Sequence, residues 1–459
     1  MSLYRKALLG DVEQEVLRFT SSIDVDRYFV KEAIDVMKAH VKHLMSINVV
    51  PEGAGKRVLE ALESASAEDL LSKKAEDIFE AIEAYLKEKV GEDFGWISIG
   101  RSRNDHIAAV LRLVTRRYLI SIIKEVLDLR SMLLHKTSEN LYTLFPSFTH
   151  MQPAQISTAA HYLTYIEEEL SFYTRLLLDI LELVNRSPLG AAAATSTMVD
   201  IDREELASSL HFSDMVKNSL LATGSRDFML IASSILASFS VFLSRIAEDM
   251  IFFSFSGLID APREHMATSS LMPHKKNLVT MELIRAWGGR SIGLLTSILA
   301  VEKGIPSGYN LDLQEMNSSF ISLLMRLLDV VKIFRDFISK VKFKQAERIE
   351  TLILTDLAEL LSLELNIPYR EVHMRIARGI SEMKDPSPDE LLSFLKREFN
   401  LNEKIMEMIL NPLKLLKRKG DGSPNPDAVR KYIDEAVNKI NEDKGLLKRI
   451  ISGIQPDLI

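Results

Sequence analysis

Residues 104–141 read NDHIAAVLRLVTRRYLISIIKEVLDLRSMLLHKTSENL, and this stretch decides the fold. Its apolar residues Ile107, Val110, Leu111, Val114, Tyr118 and Ile122 recur every three or four positions, the period of one helix face. No glycine or proline interrupts it, so the spacing predicts one helix several times longer than the globular norm. Working outward, the same period predicts a helix over Ala75–Val90, with Ile78, Ile82 and Leu86 four apart. Four more long helices are expected at about Pro153–Val184, with Pro153 in the first turn, then Arg226–Phe255, Leu278–Val301 and Leu313–Val341. Strand-like alternation is scarce. The expected fold is all-α, an elongated bundle of five long helices. Helices of this length leave apolar faces that one copy does not cover, which predicts that bundles associate. Shorter helices and more frequent turns outside the bundle suggest three helical domains, at 1–100, 101–344 and 345–459.

Composition narrows the function classes. The chain of 459 residues has a formal net charge of −7, which does not favour nucleic acid or anionic membrane as a partner. It contains no cysteine, excluding disulfides, thiolate metal sites and cysteine nucleophiles, and fitting a reducing compartment. The start, MSLYRKALLGDVEQEVLRF, lacks the apolar core of a signal peptide, so a cytoplasmic location is expected. The longest uncharged run, Phe228–Ser244, falls just short of a comfortable membrane crossing, and Asp227 and Arg245 bound it. We read it as the buried central stave of the bundle.

Three polar segments stand immediately before long helices: GRSRND (Gly100–Asp105), FTHMQPAQ (Phe148–Gln155) and TSSLMPHKKN (Thr268–Asn277). Helix starts present unpaired N–H groups and a positive dipole end, and Arg101, Arg103, Lys275 and Lys276 add charge, a setting that suits a small dicarboxylate. Taken singly, each segment also has a plain reading: a cap closed by Asn104 or Asp105, a partly buried His150, a pair of solvated lysines. Spacing alone does not make them converge. Phosphate-loop and zinc-protease motifs are absent, the ten histidines form no metal-ligand pattern, and Ser269 is not in a hydrolase elbow.

The ordered set of motifs resembles the argininosuccinate lyase family of the fumarase/aspartase superfamily. SSLMPHKKN is similar to the superfamily signature, a serine pair followed by Met-Pro-x-Lys-x-Asn. GRSRNDHIAAVLRL, THMQPAQ, PLG, IDREELA, SRDF, YNLDLQE, IPYREVH and GSPNPDAV follow in the family's order, from about Ser22 to Val429. The resemblance implies cleavage of argininosuccinate to arginine and fumarate, as in arginine biosynthesis. It implies Ser269 as the base in a mobile loop, His150 as proton donor to the departing nitrogen, Lys275 as stabiliser of the aci-carboxylate, and Glu282 as the histidine's carboxylate partner. Substrate contacts fall on Ser22, Arg103, Asn104, Thr149, Asn277, Tyr309 and Gln314. It further implies a homotetramer whose sites combine segments of three subunits, with no metal or organic cofactor.

Departures from the family concentrate on binding groups. Thr268 stands where a glycine precedes the serine pair, His274 replaces glutamine, and Leu278 follows Asn277 in place of proline. Ser98 and Ile99 replace a His-Thr pair, Leu221 an aspartate and Ser225 an acid, while Leu311 and Asn317 replace basic residues. Two alternatives follow: another fumarate-releasing lyase of the superfamily, of the adenylosuccinate type, or a non-catalytic structural homologue of the crystallin kind.

Overall fold

The computed structural model describes residue 10 and residues 13–383, 387–399 and 401–453. The Asn104–Leu141 stretch is one helix, α1 (Arg103–Glu139). Ser102 caps its start: its hydroxyl accepts from the Asn104 N–H, and the Asp105 carboxylate takes the Ser102 N–H in return. Four further long helices follow, α2 (Ala159–Val184), α3 (Asp227–Phe255), α4 (Val279–Glu302) and α5 (Glu315–Lys340). Helix α1 packs along α2, α5 and the last helix, α6 (Pro426–Ser452), while α3 packs along α4.

The apolar run lies inside α3. Among the described residues this helix alone is long and apolar enough to cross a membrane, yet Phe228, Leu236, Phe239, Leu243 and Ile246 are buried in the bundle's core. Its serines serve packing. Ser240 accepts a hydrogen bond from the Trp287 indole at 3.0 Å, joining α3 to α4. Gly288 lies so close to α3 that an added Cβ would stand 2.5 Å from the Ser244 Cβ, and this approach sets the spacing of the two helices.

Buried charge is matched to backbone and carboxylates. Arg112 donates to the Val184 carbonyl at 3.2 Å, and Arg116 to the Asn185 side chain at 2.8 Å, so two α1 guanidinium groups sit at the negative end of α2. Arg130, fully buried, bonds Glu167 of α2 at 2.7 Å and Asp443 of α6 at 2.8 Å. That triad fastens the last helix to the bundle, where Ala436, Ile440 and Leu447 join the main core. A second core gathers Leu357, Leu361, Val372, Leu395 and Leu416 with Leu144 and Ile156.

The sequence expectation fails at one place. Residues 153–158 are not the first turns of α2 but part of an antiparallel hairpin, β1 (Leu144–Thr149) and β2 (Gln152–Thr158), with Pro153 in β2. Helix α2 begins only after Thr158, whose hydroxyl accepts the His161 N–H at 3.1 Å. Proline is tolerated because this ladder has only two strands, leaving an edge on which no N–H is needed.

The path of the chain fixes which segments share an end. Arg103 at the start of α1 bonds Tyr309 just before α5, so α1 and α5 run in the same direction. At the far end Leu144 N–H donates to the Gln345 side chain at 2.9 Å, and β3 (Ile259–Asp260) pairs with Lys342–Phe343 beyond α5. Helices α2 and α4 therefore return antiparallel.

Candidate functional site

At the α1 start the bundle end is closed by a partly buried polar cluster around Arg103. Its guanidinium donates to Asp77, to the Tyr309 hydroxyl at 2.5 Å, to Gln314 at 3.1 Å and to Ser22 at 3.4 Å. Gln314 is oriented in turn by the Thr20 carbonyl at 3.1 Å, and Ser22 donates to Asp26 at 2.9 Å. Asp26 is fully buried, and burial pushes its carboxyl up to about 7 against the counteracting N–H of Ile78. Facing the aspartates and the tyrosine oxygen, the Arg103 guanidinium is held more firmly protonated than usual despite its burial. Asn104 donates to the Ala193 carbonyl at 3.1 Å. Ser22, Arg103, Tyr309 and Gln314 thus converge, although up to 292 positions separate them in the sequence (314 − 22).

The signature loop lies at the other end. β4 (Ala267–Thr268) pairs antiparallel with β5 (Lys276–Asn277), closing residues 269–275 into a loop directly ahead of α4. The Ser269 N–H donates to the Lys275 carbonyl at 3.3 Å. The Ser269 Oγ accepts two backbone N–H bonds, from Leu271 at 3.2 Å and Met272 at 2.9 Å. Two donors on a hydroxyl oxygen favour its anionic form, the arrangement a serine base needs. Thr268, at the position of the expected glycine, has no left-handed backbone and pairs as a strand residue with Lys276. Leu271 is 85% exposed on this loop. Glu282 sits in the first turn of α4, exposed to solvent.

Thr149 and His150 are at the tip of the β1–β2 hairpin. Thr149 pairs with Gln152, so His150 and Met151 form a two-residue turn, with φ of 53° and 59°. Both are non-glycine residues in left-handed conformation, in the tight turn that normally selects Asn-Gly. The rings beneath hold the tip: Phe148 stands edge-on to Phe252 at 5.1 Å.

One chain therefore does not bring the candidate residues together. Ser22, Arg103, Asn104, Tyr309 and Gln314 occupy one end of the bundle, while Thr149, His150, Ser269, Lys275, Asn277 and Glu282 occupy the other. The 37 residues of α1 put about 55 Å between the two ends. The expectation that all three polar segments lie at helix starts holds for Gly100–Asp105 and Thr268–Asn277, whereas His150 is on a strand turn.

Asp26, Asp77 and His265 escape sequence inspection. The aspartates lie in segments without a catalytic signature, and only folding sets them on Ser22 and Arg103. His265 is buried at the foot of the signature loop, bonding Thr280 and Asp336, each at 2.9 Å, and ties the loop's base to α4 and α5. Asn317 is buried in the first turn of α5 and its Oδ1 has no partner among the described residues.

A lyase family model matches residues 10–293. An argininosuccinate lyase of Pyrococcus furiosus is 42% identical over 457 residues, covering 98% of this chain and 97% of that protein. One from Sulfolobus acidocaldarius is 42% identical over 380 residues, covering 82% and 84%. Among solved structures, a variant of EDDS lyase with bound fumarate superposes with a TM-score of 0.82 at 23% identity, covering 94% of this chain and 89% of that one. A class II fumarase from Schistosoma mansoni does so with 0.71 at 14%, covering 84% and 90%. These two likenesses concern the fold.

Proposed function

The chain belongs to the argininosuccinate lyase family, and from that membership we propose that it cleaves argininosuccinate to arginine and fumarate, in the cytoplasm and in the service of arginine biosynthesis. The observation that carries this reading is the 42% identity to a named argininosuccinate lyase along 98% of the chain.

The residues divide the chemistry as follows. Ser269, as the alkoxide, takes the proton from the carbon beside a substrate carboxylate, and its two N–H donors stabilise that anion before the proton arrives. The electron pair left on carbon delocalises into the carboxylate as an aci-carboxylate, whose added charge Lys275 stabilises more than the ground state. The C–N bond then breaks, His150 gives its proton to the departing guanidino nitrogen, and fumarate and arginine separate. Glu282 would orient and charge His150. Arg103, with its tyrosine, glutamine and serine, is a preorganised anchor for a carboxylate, assisted by Asn104, Thr149 and Asn277. No cofactor is required for these steps.

The active unit is a homotetramer in this reading. Half-sites about 55 Å apart cannot serve one substrate molecule within a chain, so antiparallel neighbours must supply the missing halves. The outer face of α4 supports this: Leu283, Ile292 and Leu299 are exposed, and open space surrounds Gly289 and Gly293 between them. The exposed Leu271 then finds cover as the loop closes over substrate and excludes water. We further infer that residues 1–100, 101–344 and 345–459 are the three helical domains of each chain, with the first domain and the last helix of the third packed on the central bundle.

The test is to incubate the purified protein with argininosuccinate and follow fumarate by its ultraviolet absorbance, with Ser269→Ala in parallel. Release by the wild type and none by the variant is expected. No release from a folded wild-type tetramer would overturn the substrate, and adenylosuccinate would be tried next.

A further inference from the structure

Behind the His150 hairpin lies a cavity of about 530 Å³ that none of the assigned steps uses. We propose that it is a binding site for a small zwitterionic α-amino acid with an apolar side chain.

Its walls are aromatic. Phe253 meets Phe145 at 4.9 Å and Tyr162 at 5.0 Å, both edge-to-face, and Phe148, Phe252 and Tyr165 complete the lining. A flat or branched apolar side chain gains contact with several rings at once there. The polar groups are few and differ in how far they are already engaged. Glu248 is paired with Arg285 at 2.6 Å. His161 has both ring nitrogens occupied, by Ser157 at 3.0 Å and the Gly422 carbonyl at 2.9 Å.

Arg245 and Asp249 remain, one turn apart on α3 and both lining the cavity. Asp249 receives the Tyr162 hydroxyl on one oxygen at 2.9 Å, and its other oxygen is left for a donor. Burial raises its carboxyl above the ordinary range, a cost that an ammonium beside it would offset. One cation and one anion a helical turn apart, facing rings, match a carboxylate and an ammonium on one carbon with a side chain behind. Among the described residues a lone metal ion finds there only one unengaged oxygen of a carboxylate outside an ion pair, and a simple hydrocarbon leaves both charges unused.

The cavity shares Phe148 and Met151 with the hairpin, and these two residues bracket Thr149 and His150. An occupant therefore bears on the turn that carries the proton donor. This consequence, unlike the binding itself, rests on the role proposed for His150.

The experiment titrates L-phenylalanine into the full chain by calorimetry, beside 3-phenylpropionate, which keeps only the carboxylate, and 2-phenylethylammonium, which keeps only the ammonium. L-Phenylalanine is expected to saturate one site per chain and to bind at least about tenfold tighter than either analogue, the scale of one charge-assisted hydrogen bond. Arg245→Met and Asp249→Asn, the first exposed and the second retaining an acceptor for Tyr162, should each weaken it by about tenfold or more. Saturating fumarate should leave binding intact. The proposal is overturned by absence of saturable binding, as when a second copy fills the cavity, by equal binding of all three probes, by indifference to both variants, or by displacement with fumarate. A change of kcat for fumarate release on adding L-phenylalanine tests the link to His150 separately, because binding is read even if no lyase activity is found.

Discussion

The two ends of the bundle are built on opposite plans. Around Arg103 the polar groups are buried or half-buried and over-determined: one guanidinium has four side-chain partners, and Gln314 and Ser22 are themselves held by further bonds. Around Ser269 one strand pair of two residues a side and a few turn bonds support a loop whose residues 270–276 are exposed. In the roles proposed for the two ends, the difference teaches that anchoring and proton transfer place contrary demands on a fold. An anchor works by being rigid before the ligand arrives, whereas a base that must be sealed from water works by closing afterwards.

Removing the proposed base is the sharpest way to break this comparison. Ser269→Ala is expected to lower the rate of fumarate release by about 10²-fold to 10⁴-fold or more. Its thermal unfolding midpoint should stay near that of the wild type, because the hydroxyl supports only a solvent-facing turn. A large loss of stability would mean that the loop is as structural as the anchor.

At the other end the balance should reverse. Arg103→Lys keeps the charge but cannot serve Asp77, Tyr309, Gln314 and Ser22 together, and about 1–3 kcal/mol of stability should be lost along with substrate affinity. Denaturant titration and KM measure the two parts. An unchanged unfolding free energy would show that the cluster is not preorganised.

Protonation sharpens the contrast further. The Asp26 carboxyl is raised to about 7 from its ordinary 3.8, so the folded chain holds a proton that the unfolded chain releases between those pH values. Its contribution is present below about 4 and is lost as pH rises towards 7. Buried His40, lowered to about 3, has the opposite slope over part of that window, so the informative quantity is a difference. The midpoint of Asp26→Asn relative to wild type should climb from pH 5 to pH 7 and level off above. A flat difference would show that Asp26 is ionised throughout.

The smallest effect is expected at the hairpin. Met151→Gly relieves a left-handed conformation at a residue 71% exposed, and the midpoint should stay or rise by the equivalent of up to about 1 kcal/mol. A clear fall would show that packing of the methionine, not the turn, fixes His150.

Periodicity located the five long helices to within a few residues because an unbroken apolar stripe has one stable use. It missed β1 and β2, since residues 144–158 carry no alternation strong enough to outweigh the helix that follows, and their ladder is anchored from outside by Gln345 and Leu352. The candidate catalytic residues were named through motif resemblance, which records chemistry without geometry. Asp26, Asp77 and His265 left no such record.

What the sequence determined by itself is therefore the helical architecture and the family, and it supplied a short list of candidate side chains, all of which are local properties of composition and order. Only the tertiary structure decided that Arg103 gathers Ser22, Tyr309 and Gln314, and that the Ser269 hydroxyl sits under two N–H groups. It also placed the two sets at opposite ends of the bundle. The reason is physical: a rigid helix transmits direction over its whole length, so the order of up and down helices, invisible in any single motif, settles which residues meet.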